Sequence, residues 1–252
     1  TNLIKRGPAP QDFETDFELP PGVRSFPYRS AGRELKAWLY LPDGDATSDR
    51  PALVYLHGGY AFGMDDMVCT KPFMEKGFVV YTPTYRGENG NPGDFEMFLG
   101  EVDDAKAAVK FLATQKHVDP KRIFVLGHSA GGAIAANLSL LDDVPAVHTA
   151  SIGGLYAPSV SFILSQEAPF RFADEKEKQF RTLFGNIRHM QRRHIAYIGK
   201  GDVFVVPAFS AADAELSPAE RKLVLVSVPG DHQESLENGM REYLKLIESE
   251  TK

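Results

Sequence analysis

Cysteine is nearly missing from this chain: Cys69 is the only one in 252 residues. A lone thiol closes no intrachain disulfide and builds no cysteine-rich metal site, and Cys69 reads as a small buried or half-buried filler. Long apolar runs are missing too. The longest are short stretches such as Phe78-Val79-Val80-Tyr81, far below the roughly 18 residues of a membrane-spanning helix. Positive charge is in deficit, with 28 Lys and Arg against 34 Asp and Glu and a net charge of -6. Neither nucleic acid nor an anionic membrane surface is therefore an expected partner. No spacing of a metal-ligand set occurs, so neither a metal nor an organic cofactor is expected. The chain begins at Thr1 rather than methionine, which reads as a cleaved targeting segment or a trimmed end. Both a cytoplasmic and an exported location stay open, as does the oligomeric state.

The residues that are present describe an ordinary globular protein, 43% hydrophobic and 25% charged, long enough for one substantial core and read as a single domain over 1–252. Residues 1–25 are polar and broken by Pro8, Pro10, Pro20 and Pro21, and are expected to form an arm on the surface. Leu35–Leu41 reads as an early strand stopped by Pro42-Asp43-Gly44. Beyond it, short apolar runs at Ala52–Leu56, Phe78–Tyr81, Ile123–Leu126, Ala146–Ile152, Ile195–Ile198 and Leu223–Val228 are separated by helix-length segments. Runs that are apolar on both faces belong to strands covered by helices on both sides, which predicts a mostly parallel, twisted α/β sheet. Helical spacing of apolar residues marks Glu101–Gln115 and Glu234–Glu250. The segment 157–193 is too long for a simple connection and is expected to form a small lid or cap.

Chemistry concentrates at the ends of these strands. Gly127-His128-Ser129-Ala130-Gly131-Gly132 matches G-x-S-x-G, follows the run Ile123–Leu126 and opens a small-residue helix. A sharp strand-to-helix turn of this kind lifts a serine hydroxyl above the sheet and aims the new helix's first amides at the reacting atom. His57-Gly58-Gly59-Tyr60 directly follows Ala52–Leu56. In hydrolases built around such an elbow, this loop and the residue after the serine supply the amides of an oxyanion hole. Those amides are assigned to Gly59 and Ala130, with Tyr60 as an alternative or additional donor. A serine needs a base, and the base an orienting acid. Of the seven histidines, His232 follows the last strand, at the same end of the sheet as Ser129. Asp202 follows Ile195–Ile198 and completes the order Ser, Asp, His, with Asp231 as the alternative acid. Tyr60, Phe62 and His128 are candidate substrate contacts, and Phe162, Phe170, Phe172, Phe180 and Phe184 are candidate pocket residues of the lid.

On these motifs the chain resembles the α/β-hydrolase superfamily from about Ala31 to its end. Tyr85-Arg86-Gly87, the helix carrying Asp104 and Asp119-Pro120-Lys121-Arg122-Ile123 resemble the prolyl-oligopeptidase-like and dienelactone-hydrolase-like branch. The His-Gly-Gly-Tyr loop is also similar to that of esterases and arylformamidases. Tyr60 stands where hormone-sensitive-lipase-like enzymes carry a third glycine. With few residues ahead of the first strands, the β-propeller that gates prolyl oligopeptidases is not expected. The resemblance thus implies an α/β-hydrolase fold with a small lid and a serine carboxylesterase acting on a small-molecule ester. The alternatives are a peptidase or amidase, an arylformamidase, and a non-catalytic binding protein on the same fold.

Overall fold

The computed structural model describes residues 1–43, 49–156, 166–205 and 222–250. Ten strands are described: β1 (Val23–Ser25), β2 (Tyr28–Ser30), β3 (Arg33–Leu35), β4 (Ala37–Tyr40), β5 (Arg50–Leu56), β6 (Val79–Pro83), β7 (Val118–His128), β8 (Thr149–Ile152), β9 (His194–Gly199) and β10 (Leu223–Val228). The helices are α1 (Met64–Val68), α2 (Lys71–Glu75), α3 (Gly100–Ala113), α4 (Ser129–Leu138), α5 (Glu175–Gln179) and α6 (Ser235–Glu250). The main sheet runs β1-β4-β6-β5-β7-β8-β9-β10. Only β4 runs against the rest, antiparallel to both its neighbours β1 and β6; the other strands are parallel. With helices on its faces and a small insertion after β8, this is the α/β-hydrolase architecture.

The expected strand over Leu35–Leu41 is two strands. It breaks at Lys36, whose amide donates to the Asn91 side chain (3.0 Å) and whose ammonium reaches the Asn89 carbonyl (2.7 Å). β3 therefore pairs with β2 in a separate ribbon, and β4 alone enters the main sheet. The run Ala146–Ile152 forms a strand only from Thr149. The two short helices α1 and α2 were not expected, because five residues each are too few to display a period.

Helix α3 buries Val102, Ala105, Val109 and Leu112 on one sheet face, and α6 buries Met240, Tyr243, Leu244 and Ile247 on the other. Each large side chain so buried contributes about 1.5–3 kcal/mol. The placement of the site follows from strand order. After β5 the chain crosses to β6 on one side, then to β7 on the other, so a crevice opens at the carboxyl ends of β5 and β7. Leu56, the last residue of β5, pairs with Gly127. That pairing sets the loop beginning at His57 beside Ser129. Among the described residues no helix is long and apolar enough to cross a membrane.

Candidate active site

Strand β7 runs through His128, and α4 begins at Ser129 itself. No residue is left over for a gentle turn, so Ser129 takes a left-handed backbone with φ of +50°. A non-glycine residue there costs about 1–2 kcal/mol, met by the packing around it. The turn closes so tightly that a Cβ on Gly131 would collide with the Leu56 carbonyl oxygen at the end of β5. Glycine is required there because helix and neighbouring strand touch backbone to backbone.

Three side chains from three strand ends meet in one hydrogen-bonded line. Ser129 Oγ lies 3.0 Å from His232 Nε2, and His232 Nδ1 lies 2.8 Å from Asp202 Oδ2. Asp202 is fully buried, and its other oxygen accepts the amides of Phe204 (3.0 Å) and Val205 (3.2 Å). Both carboxylate oxygens are thereby occupied, so the group has one orientation. β9 and β10 end in register, Gly199 against Val228, and the Gly201 amide donates to the Gly230 carbonyl. This brings the two loops together. Asp231 points elsewhere: its exposed carboxylate accepts the amides of Gln233 and Glu234, both at 2.9 Å, and these bonds hold its pKa down.

His128 is buried, and its Nε2 lies 3.2 Å from the His232 carbonyl oxygen. A carbonyl can only accept, so Nε2 carries the proton. Burial pulls the pKa of this imidazole down to about 4, and the neutral ring ties the elbow to the loop bearing His232. The sequence had marked His128 for substrate contact; its place is between these two loops.

Behind the loop at Gly58 and Gly59 lies a layer of polar groups. His57 Nδ1 donates to the Gly58 carbonyl (3.0 Å) and Nε2 faces Glu88 at 3.2 Å, both side chains fully buried. Burial works against a charged ring, but the Glu88 carboxylate outweighs it and raises the His57 pKa to about 9. Asn89 clamps Phe62 by both backbone groups, accepting its amide and donating to its carbonyl, each at 2.9 Å. Arg86 grips Asp104 through two guanidinium nitrogens and its own amide, fixing the segment that carries Glu88 and Asn89. The sequence singled out Arg86 and Asp104 but missed Glu88 and Asn89. Their only signal was polarity next to a strand end.

Tyr60 is largely buried, packed on Phe95 (4.9 Å between centroids) and Phe98 (6.2 Å), with its hydroxyl against Glu167. Its amide donates to the side-chain oxygen of Gln11 (2.8 Å), a residue of the N-terminal arm that sequence reasoning did not consider. Phe62 stacks on Trp38 at 4.2 Å, inside the core. Within the expected lid, Phe162 lies outside the described residues. Phe170 is buried under the Arg181 guanidinium, 3.9 Å away, while Phe172 and Phe184 are partly buried against core clusters and Phe180 faces solvent. Among the described residues no group of three or more His, Cys, Asp or Glu is arranged to hold a metal ion.

Comparison with known proteins bears on the fold and the family. The uncharacterized peptidase YtmA of Bacillus subtilis is 36% identical over 107 residues, which is 42% of this chain and 40% of that protein. This chain thus matches less than half of that relative's length. Among solved structures, a hyperthermophilic esterase from the archaeon Pyrobaculum calidifontis superposes with a TM-score of 0.71 at 19% identity, over 91% of this chain and 86% of the esterase. The acylaminoacyl peptidase of Pyrococcus horikoshii gives 0.66 at 18% identity, over 90% of this chain and 41% of the peptidase. At such identities the likeness is one of fold, shared by esterases and peptidases. The model of the BD-FAE family matches residues 38–184, a stretch that takes in the His57 loop and Ser129 and ends before Asp202 and His232. It covers more than half of the 252 residues, and the chain belongs to the BD-FAE family, within the α/β-hydrolase superfamily.

Proposed function

We propose that this protein is a serine esterase that cleaves carboxylic esters through an acyl-enzyme. Ser129 is the nucleophile, His232 the general base and acid, and Asp202 the group that holds the imidazole. The observation that carries this reading is the continuous line from Ser129 Oγ through His232 to the buried Asp202. Ser129 Oγ attacks the acyl carbonyl as its proton passes to His232 Nε2. Negative charge collects on the former carbonyl oxygen, held by the Gly59 and Ala130 amides with that of Tyr60 as a further donor. Donors fixed in advance at that point need no reorganisation as the charge forms. Collapse expels the alcohol, protonated by His232, and water repeats the sequence to release the acid. The chemistry calls for no metal or organic cofactor. Tyr60 and the described part of the insertion, residues 166–193, acting as a lid over a single domain, select the substrate.

A peptidase or amidase would use the same line, and the name of the Bacillus relative speaks for that reading. One assay separates them: p-nitrophenyl esters of increasing acyl length beside matched aminoacyl-arylamides. Esters should be cleaved faster throughout. Ser129→Ala should lower kcat by roughly 10⁴-fold or more and abolish labelling by an organophosphonate. Stoichiometric labelling of that variant would remove Ser129 from its role, and faster cleavage of arylamides would make the protein an amidase.

A further inference from the structure

The N-terminal arm crosses the loop at Gly59 in a specific way. It is pinned upstream, where Gly7 and Arg6 both bond Asp94 and the Ala9 amide donates to the Gly87 carbonyl. It is pinned downstream, where Phe17 packs on Trp38 (5.6 Å) and Phe62 (6.3 Å). Between these anchors Gln11 reaches in, and its side-chain carbonyl oxygen accepts the Tyr60 amide at 2.8 Å. The carboxamide lies flat on the loop: a Cβ on Gly59 would sit 2.7 Å from the Gln11 oxygen and 3.3 Å from its nitrogen. On the same loop, a Cβ on Gly58 would come 3.6 Å from the Ser129 Cβ. An amide carbonyl thus sits on the Tyr60 backbone donor, on the loop whose Gly58 packs against Ser129, in the manner of an acyl oxygen.

We propose that Gln11 is a built-in competitor for the oxyanion position, so that the arm sets the apparent affinity for substrate. The inference rests on the esterase reading of the Ser129 site. An acyl carbonyl must displace the carboxamide to reach the Tyr60 amide, and molecules with Gln11 withdrawn are the ones that bind it with every donor free. When the competent state is a fraction of the whole, the apparent dissociation constant rises by the inverse of that fraction. Once substrate is seated Gln11 is already out, so kcat is untouched. Gln11 is solvent-exposed, which makes its removal cheap for folding.

The test compares wild type with Gln11→Ala and Gln11→Met, the second keeping bulk without a carbonyl. A neutral hydrogen bond of ordinary net strength corresponds to about a fivefold shift in an equilibrium. Both variants should lower KM for a p-nitrophenyl ester about fivefold and raise the second-order rate of organophosphonate labelling by the same factor, with kcat unchanged and Tm lowered by no more than about 2–4 °C. Equal KM and labelling rates in all three proteins would overturn the proposal. A gain in the alanine variant alone would assign the effect to bulk and overturn it as well. A fall in kcat would instead make Gln11 a helper of the reaction. Should wild type itself neither label nor turn over, the esterase reading fails, and that outcome is distinct from these.

Discussion

Gly153, at the end of β8, gives a direct handle on the Ser129 site without touching any of its three side chains. Its φ is +55°, and a Cβ placed on it would lie 3.0 Å from His232 Cε1 and Nδ1 and 3.1 Å from Asp202 Oδ2. The backbone cannot slide away, because the Gly153 amide is held by the Tyr197 carbonyl at 3.0 Å. Gly153→Ala therefore has two separable effects. The left-handed backbone costs about 1–2 kcal/mol, or about 2–8 °C in Tm for a domain of this size. The new methyl also forces the imidazole back by roughly 0.5 Å to reach an ordinary contact distance. Misplacement by about 1 Å costs on the order of 10²-fold in rate, so about half that shift should lower kcat roughly tenfold. Gly185→Ala is the control. Its φ is +87°, yet no atom lies within 4 Å of the added Cβ, so it bears the strain alone. Steady-state ester hydrolysis and thermal melts of both variants make the comparison. If Gly153→Ala lost the same stability as Gly185→Ala but kept wild-type kcat, the His232 ring would not occupy the position described.

Asp202→Asn should keep the turn, since an amide oxygen can still accept from Phe204 and Val205, while its NH₂ group faces His232. The imidazole is then driven to the tautomer protonated at Nε2, which cannot take the Ser129 proton, and kcat should fall about 10³- to 10⁴-fold with Tm little changed; a loss under tenfold would assign the carboxylate another task. The buried His57 pair predicts a pH dependence of stability. Burial opposes the charged ring and the Glu88 carboxylate more than offsets it, raising the folded pKa to about 9 against 6.5 for the free side chain, so the charged ring stabilises the fold. That contribution is fully present below about pH 6.5 and is lost as pH rises through about 9. Glu101, pushed up to about 8 by burial, acts in the same direction at lower pH, as unfolded chains ionise first. Urea midpoints of wild type and His57→Gln should differ most near pH 6.5 and converge by about pH 10; a constant gap would mean that His57 is neutral.

Much of the fold was readable because buried parallel strands leave a plain mark. β5, β7, β9 and β10 are each apolar on both faces, and the residue types that carry chemistry sit just past their carboxyl ends. Ser129, His232 and Asp202 could be singled out in this way, and they are in contact. The reading stopped where structure depends on a distant partner. Lys36 breaks a strand because Asn89 and Asn91 compete for it, more than fifty positions along the chain. Gln11, Glu88 and Asn89 serve the Gly59 loop from elements that no local period connects to it. An aromatic residue at helical spacing looks the same whether it lines a pocket or fills a core, and Phe170 fills the core.

The four parts of the site are not equally well rooted. Ser129 and the loop at Gly59 hang from β7 and β5, each with a strand on both sides. Asp202 and His232 hang from β9 and β10, and β10 ends the sheet with one hydrogen-bonded neighbour among the described strands. Edge segments open locally at lower free energy than the centre of a sheet. The proposed catalytic apparatus is thus rooted in interior strands except at His232, which follows the one strand that can be let go. When the protein is pushed toward unfolding, the imidazole should leave first, and the serine would remain in place as an alcohol with no base to activate it.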